Sequence, residues 1–211
     1  MATEKGVEAV ERALSLLRKA ATLCDPGTPP ATHATYRYSL AMACAGYGRM
    51  EEARRHALAA RKFAAERWDL RLACAEALAD RDEMAAVETG LRAALDKRPD
   101  WSGGWLTLGR CRLGLGDTNG ALTALQRGVE LDPREAGPRL LLGEGYGLAG
   151  RWSEAEQAFR TATDLAPQSA QGREQLGTAL LMQGKLQEAE AALRSALAVA
   201  PDYAPAVTGL G

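Results

Sequence analysis

Apolar residues recur along this chain with two nested periods. The short one is helical. Val7, Val10, Leu14, Leu17, Ala21 and Cys24 stand three or four residues apart and predict one amphipathic helix over Glu4 to Cys24. Glu4, Glu8 and Glu11 lie early in it and Arg18 and Lys19 late, which suits the dipole of that helix. Asp25-Pro26-Gly27-Thr28-Pro29-Pro30 then halts it, because three prolines and a glycine cannot continue a helix. The long period begins at Ala34. From there a pattern of helix, tight turn and second helix returns every 34 residues, in frames 34–67, 68–101, 102–135, 136–169 and 170–203.

Small residues keep fixed places in the frame. Ala41, Ala75, Gly109, Gly143 and Gly177 take the eighth place; Ala53, Val87, Ala121, Ala155 and Ala189 take the twentieth. Ala60, Ala94, Gly128, Ala162 and Ala196 take the twenty-seventh. Two antiparallel helices, and the next pair stacked on them, come close only where side chains are small. Larger residues fill the space between: Leu40, Cys74, Leu108, Leu142 and Leu176 at the seventh place, and Leu91, Leu125, Phe159 and Leu193 at the twenty-fourth, where the first frame has Ala57. Pro99, Pro133, Pro167 and Pro201 close the second helix, with Ala65 at that place in the first frame. Gly48, Gly116, Gly150 and Gly184 fall between the helices, where a left-handed residue ends a helix; in the second frame Asp82 is expected to do this.

The third frame carries these markers most fully, as Trp105, Leu108, Gly109, Ala121, Leu125, Gly128 and Pro133. Together they resemble the tetratricopeptide repeat family, whose pattern is W-x2-L-G-x2-Y…A-x3-F…P. The resemblance covers residues 34–203. It implies an all-α fold, a right-handed α-solenoid of stacked helix–turn–helix repeats. Residues 1–33 would be an amino-terminal helix and Pro-rich loop, acting as a cap or a degenerate repeat, and 204–211 a stub of a sixth repeat or a frayed cap. Val207, Leu210 and Gly211 match the start of a sixth frame, so the chain reads as a piece of a longer protein. Departures from the pattern exist. Arg37, Arg71, Arg139 and Arg173 stand where the family has Trp, and Arg112 stands where Tyr146 keeps the core Tyr. The Arg112 stem is expected on the core with its guanidinium turned outward.

Charge and composition narrow the function. Residues 1–101 carry 16 basic and 15 acidic side chains, and residues 102–211 carry 10 and 12. Neither half has the excess expected of a phosphate-backbone binder, so a nucleic-acid partner is not expected. No signal segment opens the chain and no run of 18 apolar residues occurs, so no membrane association and a cytoplasmic location are expected. Cys24, Cys44, Cys74 and Cys111 have no C-x-x-C spacing and read as reduced, buried residues. His33 and His56 have no metal-ligand partner at hand, so neither a metal nor a cofactor is expected. Gly145-Tyr146-Gly147-Leu148-Ala149-Gly150 matches G-x-G-x-x-G, but it closes a helix rather than following a strand. The basic run Arg49, Arg54, Arg55, Arg61, Lys62, Arg67 and Arg71 is interleaved with acids and reads as a solvated helix face. No enzyme site emerges.

In the family, places 2, 5, 9, 12 and 13 of each repeat face a concave groove. Carried over, the resemblance implies a lining of Tyr38, Met42, Leu72, Glu76, Leu106, Arg110, Leu113, Leu140, Glu144, Leu148, Glu174, Thr178, Leu181 and Met182. That stripe is apolar with three acids and one arginine. It suits an extended or helical peptide with apolar anchors and a few basic side chains. An asparagine ladder is ruled out, because Asn119 is the single asparagine. The expected function is a protein–protein interaction scaffold or adaptor. Two alternatives stand beside it: a non-catalytic targeting or substrate-recruiting arm of a larger enzyme such as a glycosyltransferase, and a scaffold that self-associates through its carboxy-terminal end.

Overall fold

The computed structural model describes residues 11–12, 14–16, 18–19, 29–62, 67–203 and 205–206. Its elements are α1 (Pro30–Gly46), α2 (Met50–Arg61), α3 (Trp68–Ala77), α4 (Arg81–Lys97), α5 (Ser102–Leu115), α6 (Thr118–Leu131), α7 (Ala136–Leu148), α8 (Trp152–Leu165), α9 (Ala170–Leu181) and α10 (Leu186–Val199). The described residues contain no strand. The fold is all-α, a solenoid of stacked helix–turn–helix hairpins. The chain divides into two compact bodies, Met1–Ala93 and Ala94–Gly211.

Each turn is closed in the same way. The N–H of the residue that follows the turn reaches a carbonyl five residues back: Arg49 to Cys44, Asp80 to Ala75, Asp117 to Arg112, Arg151 to Tyr146 and Lys185 to Leu180, at 2.8–3.0 Å. This motif needs one residue at positive φ just before that N–H. Gly48, Gly116, Gly150 and Gly184 supply it, with φ of 74°, 88°, 71° and 74°. In the second frame Ala79 does so, at φ 50°, and not Asp82. The reason is a competing cap. The Asp80 carboxylate accepts the Glu83 N–H at 3.0 Å, so α4 starts at Arg81 and α3 is only 10 residues long. Asp82 lies in the first turn of α4 instead.

In the amino-terminal body α1 packs on α2 and α3, and α2 on α3. Leu14 is fully buried among Leu40, Cys44, Ala45, Ala53 and Leu78. Arg18 and Arg49 each hold Glu52 at 2.8 Å, and Arg49 also holds Glu11 at 2.7 Å. Glu11, Leu14 and Arg18 therefore touch the first hairpin with both apolar and ionic contacts. The remainder of the expected helix over residues 4–24, and Cys24 with it, lies outside the described residues.

In the carboxy-terminal body each hairpin packs within itself and on the next. Glycine at the eighth place admits the large side chain at the twenty-fourth. A Cβ on Gly109 would stand 2.5 Å from Leu125, one on Gly143 2.5 Å from the Phe159 ring, and one on Gly177 2.8 Å from Leu193. These contacts fix the distance between the two helices of each hairpin.

Candidate functional site

The fourteen expected groove residues divide by burial. Tyr38 and Leu72 are 2% and 0% exposed and present no surface to a peptide laid along the first helices. That corrects their place in the lining. Tyr38 is drawn inward because Ala34, Ala41, Ala60 and Cys74 leave room for its ring. Met42 is exposed and Glu76 half-buried. In the carboxy-terminal body Leu106, Arg110, Leu113, Leu140, Glu144, Glu174 and Leu181 are half-buried, while Leu148, Thr178 and Met182 are exposed. Three of the leucines also carry packing. Leu106 lies against Gly128, Leu140 on the cluster of Leu122, Tyr146 and Phe159, and Leu181 on Leu193, Ala196 and Ala206.

Four of the expected residues meet in one open pocket. Glu144 and Leu148 come from α7, Glu174 and Thr178 from α9. Gln175, Trp152 and Phe159 complete it, with Gly143 and Gly147. The glycines explain the floor. Phe159 enters where Gly143 has no side chain, and a Cβ on Gly147 would stand 2.9 Å from the Trp152 ring. Two aromatic rings and two carboxylates thus line one pocket.

The polar groups are ordered by each other. Gln175 donates through Nε2 to Glu144 Oε1. Thr178 donates its hydroxyl to Glu174 Oε1 at 3.0 Å. Fixing the Gln175 amide by its nitrogen leaves its oxygen buried with no protein partner. None of the residues lining the pocket is cationic. Burial and the charge of Glu174 push the Tyr203 hydroxyl above its ordinary value. The pocket therefore offers negative charge and a spare amide oxygen over an apolar floor. Chemically it can hold a cation with an alkyl stem, a lysine or arginine side chain. Gln175 and Trp152 belong to it although places 6 and 17 are not groove places in the family. The signal in the sequence was the pair of glycines, Gly143 and Gly147, that admits the rings.

The other candidates fall into place as structure. Arg54 pairs with Glu51, Arg61 and Arg71 with Glu83, and Arg67 with Asp69, so most of the basic run is neutralised where it stands. Arg112 does not turn outward. Its guanidinium donates to the Gly120 carbonyl at 3.1 Å and stands 3.8 Å from Asp117, tying it to the turn of its own hairpin. Trp105 donates its indole N–H to the Pro99 carbonyl at 2.9 Å, and Arg173 reaches the Pro167 carbonyl at 2.7 Å. At Arg173 a guanidinium thus stands in for the indole, both carrying N–H to the same marker proline, whereas Arg139 donates to the Glu135 carbonyl and Arg71 to Glu83. Cys44, Cys74 and Cys111 are buried thiols, and burial pushes Cys74 up to about 12. Among the described residues no group of three His, Cys, Asp or Glu side chains is placed to hold a metal ion. Among the same residues no helix is long and apolar enough to cross a membrane.

Helical hairpins of one length, closed by left-handed turns and spaced by small residues, define a helix–turn–helix repeat protein. Over residues 106–205 the chain is built of tetratricopeptide repeats: residues 106–170 and 140–205 each match a tetratricopeptide repeat family model. It is similar in structure to a thermophilic TPR protein of Thermus thermophilus, with 22% identity and a TM-score of 0.65 over 83% of this chain and 95% of that one. It is also similar to YrrB, described as a TPR protein with an unusual peptide-binding site, with 19% identity and a TM-score of 0.56 over 83% and 90%. MamA is a third, with 19% identity and a TM-score of 0.55 over 81% and 93%. No curated protein matches the chain.

Proposed function

We propose that this chain is a protein-interaction scaffold that holds a peptide segment along the first helices of the hairpins in its carboxy-terminal body, and that it takes a basic side chain between Glu144 and Glu174. One observation carries the reading. Carboxylates from neighbouring helices, with the partnerless Gln175 oxygen, share a pocket floored by Trp152 and Phe159. Exposed Leu148 at its edge and exposed Met182 nearby in the chain supply apolar surface for adjoining residues of the same peptide. The peptide-binding site described for YrrB supports the reading by showing that a similar fold can carry one. The partition into a cap or degenerate repeat at 1–33, five repeats over 34–203 and a stub of a sixth repeat or frayed cap at 204–211 belongs to this proposal, as does a cytoplasmic setting. The targeting-arm alternative rests on residues after Ala206, which lie outside the described residues, and the self-association alternative on the exposed end of the fifth frame, 170–203.

A random peptide display library tests it. The wild-type chain should select sequences enriched in lysine or arginine flanked by apolar residues. The double variant Glu144→Gln, Glu174→Gln keeps the volume and should lose that enrichment, with its helical circular dichroism unchanged. Selection of the same peptides by both proteins would sink the proposal. Alanine at Leu106, Leu140 and Leu181 is the poorer test, since those side chains also hold the hairpins together.

A further inference from the structure

A second pocket lies in the amino-terminal body, away from every expected groove place except that of Tyr38. Its apolar walls are Ala57, Leu58, Ala75 and Leu78. It exists because of a departure from the repeat. At the twenty-fourth place the other frames bury Leu91, Leu125, Phe159 and Leu193, at most 4% exposed. The first frame has Ala57 there, about three carbon atoms short of a leucine.

The early turn of the second hairpin sets the polar side of this pocket. Because α4 begins at Arg81, Glu83 meets both Arg71, Nε to Oε1 at 2.7 Å, and Arg61, Nη1 to Oε2 at 2.8 Å. Both Glu83 oxygens are thereby occupied, and Asp80 is engaged in capping. What the lining offers a guest is donors. Tyr38 is the clearest: its hydroxyl is buried and has no protein partner. Burial raises the Tyr38 hydroxyl well above its ordinary value, so it stays protonated and able to donate. Arg54, Arg61 and Arg71 outnumber Asp80 and Glu83 around it.

We propose that this pocket binds a small carboxylate with a short or branched hydrocarbon tail, the tail against Ala57, Leu58 and Leu78 and the carboxylate accepting from the Tyr38 hydroxyl beside Arg61 and Arg71. The ligand is a free metabolite-sized acid, and its binding does not depend on the peptide pocket of the other body.

Isovalerate titrated into the full chain, followed by amide chemical shifts, is the test. A ligand of this size should bind with a Kd of about a millimolar. Saturable shifts are expected at residues of α1, α2 and α3 around Tyr38, Ala57 and Leu78. Tyr38→Phe removes a hydroxyl that has no partner, so it keeps the fold, and it should weaken binding about tenfold or more. Ala57→Leu restores the residue type of the other frames and should abolish binding. Isovaleramide, neutral and of the same shape, should bind about tenfold more weakly. The proposal is overturned by the absence of saturable shifts, by unchanged affinity in Tyr38→Phe, or by equal affinity for the amide. Equal shifts from inorganic phosphate would also overturn it, since they would report arginine screening without a tail site.

Discussion

The two bodies solve one packing problem in different ways. In the carboxy-terminal body a glycine at the eighth place faces a large side chain at the twenty-fourth, as in Gly143 and Phe159. In the first hairpin of the amino-terminal body the same places hold Ala41 and Ala57. There the neighbouring hairpin is held by the triad Arg61, Glu83 and Arg71, and the space that a leucine would fill becomes a pocket. A repeat place therefore specifies a pair of volumes rather than a residue type. When one member shrinks, either the partner grows or something else enters. The peptide pocket and the small-acid pocket lie one on each side of that difference.

The largest effect should come from cutting the large partner. Phe159 is 4% exposed and fills the space over Gly143. Phe159→Ala should cost about 3–5 kcal/mol, read as a lowered urea midpoint in far-UV circular dichroism. Gly143→Ala forces the ring aside and should cost about 1–3 kcal/mol. Ala41→Gly, the reverse change at the same place in the amino-terminal body, should cost only about 1 kcal/mol of helix propensity. If Phe159→Ala is no worse than Ala41→Gly, the paired-volume account is wrong.

Next comes the ionic clamp of the carboxy-terminal body. Glu156 on α8 accepts from Lys185 at 2.7 Å, Gln183 at 2.8 Å and Arg160 at 2.9 Å, which joins the fourth hairpin to the fifth. Burial alone would raise its pKa, but hydrogen bonds from Lys185, Arg160 and Gln183 prevail and hold it at about 2. A depressed carboxylate contributes stability that is complete above its unfolded value, about 4.3, and lost as pH falls through the folded value. With half-exposed partners the contribution is about 1 kcal/mol. Thermal melts should therefore fall between pH 5 and pH 2, and Glu156→Gln should flatten that decline. A variant with the same pH slope as wild type would show that other carboxylates carry it.

Much of this fold is legible in the sequence because its markers report backbone and volume. Four of the five left-handed turn residues are glycines at one place, and the structure has them at positive φ. The exception was also encoded, but in a different signal. Asp80 and Glu83 have the spacing of a capping box, and that local cap overrides the 34-residue frame. The site was less legible. Places carried over from the family locate helix faces, yet Tyr38 and Leu72 are buried, Tyr38 because its neighbours are small. Whether a side chain at a given place is core or surface depends on the volumes facing it, which no single frame states. Glu144 and Glu174 were visible as charges; that Gln175 reaches Glu144 from α9 was not.

The smallest effect offers the cleanest test of the turn comparison. Ala79 is exposed and held at φ 50°, where an L side chain costs roughly 1–2 kcal/mol. Ala79→Gly relieves that cost but frees the unfolded chain, a penalty of about 0.4–1 kcal/mol, so a net gain of about 1 kcal/mol is expected. Gly150→Ala is its mirror in the carboxy-terminal body. A Cβ there would meet nothing within 4 Å, so packing is silent and only the backbone speaks. It should lose about as much as Ala79→Gly gains. Equal and opposite shifts of the urea midpoint would mean that the early turn in the second hairpin is the same turn with the less suitable residue. A loss in both variants would mean instead that Ala79 is held by something its glycine counterparts lack, and the comparison between the bodies would then have to begin at that turn.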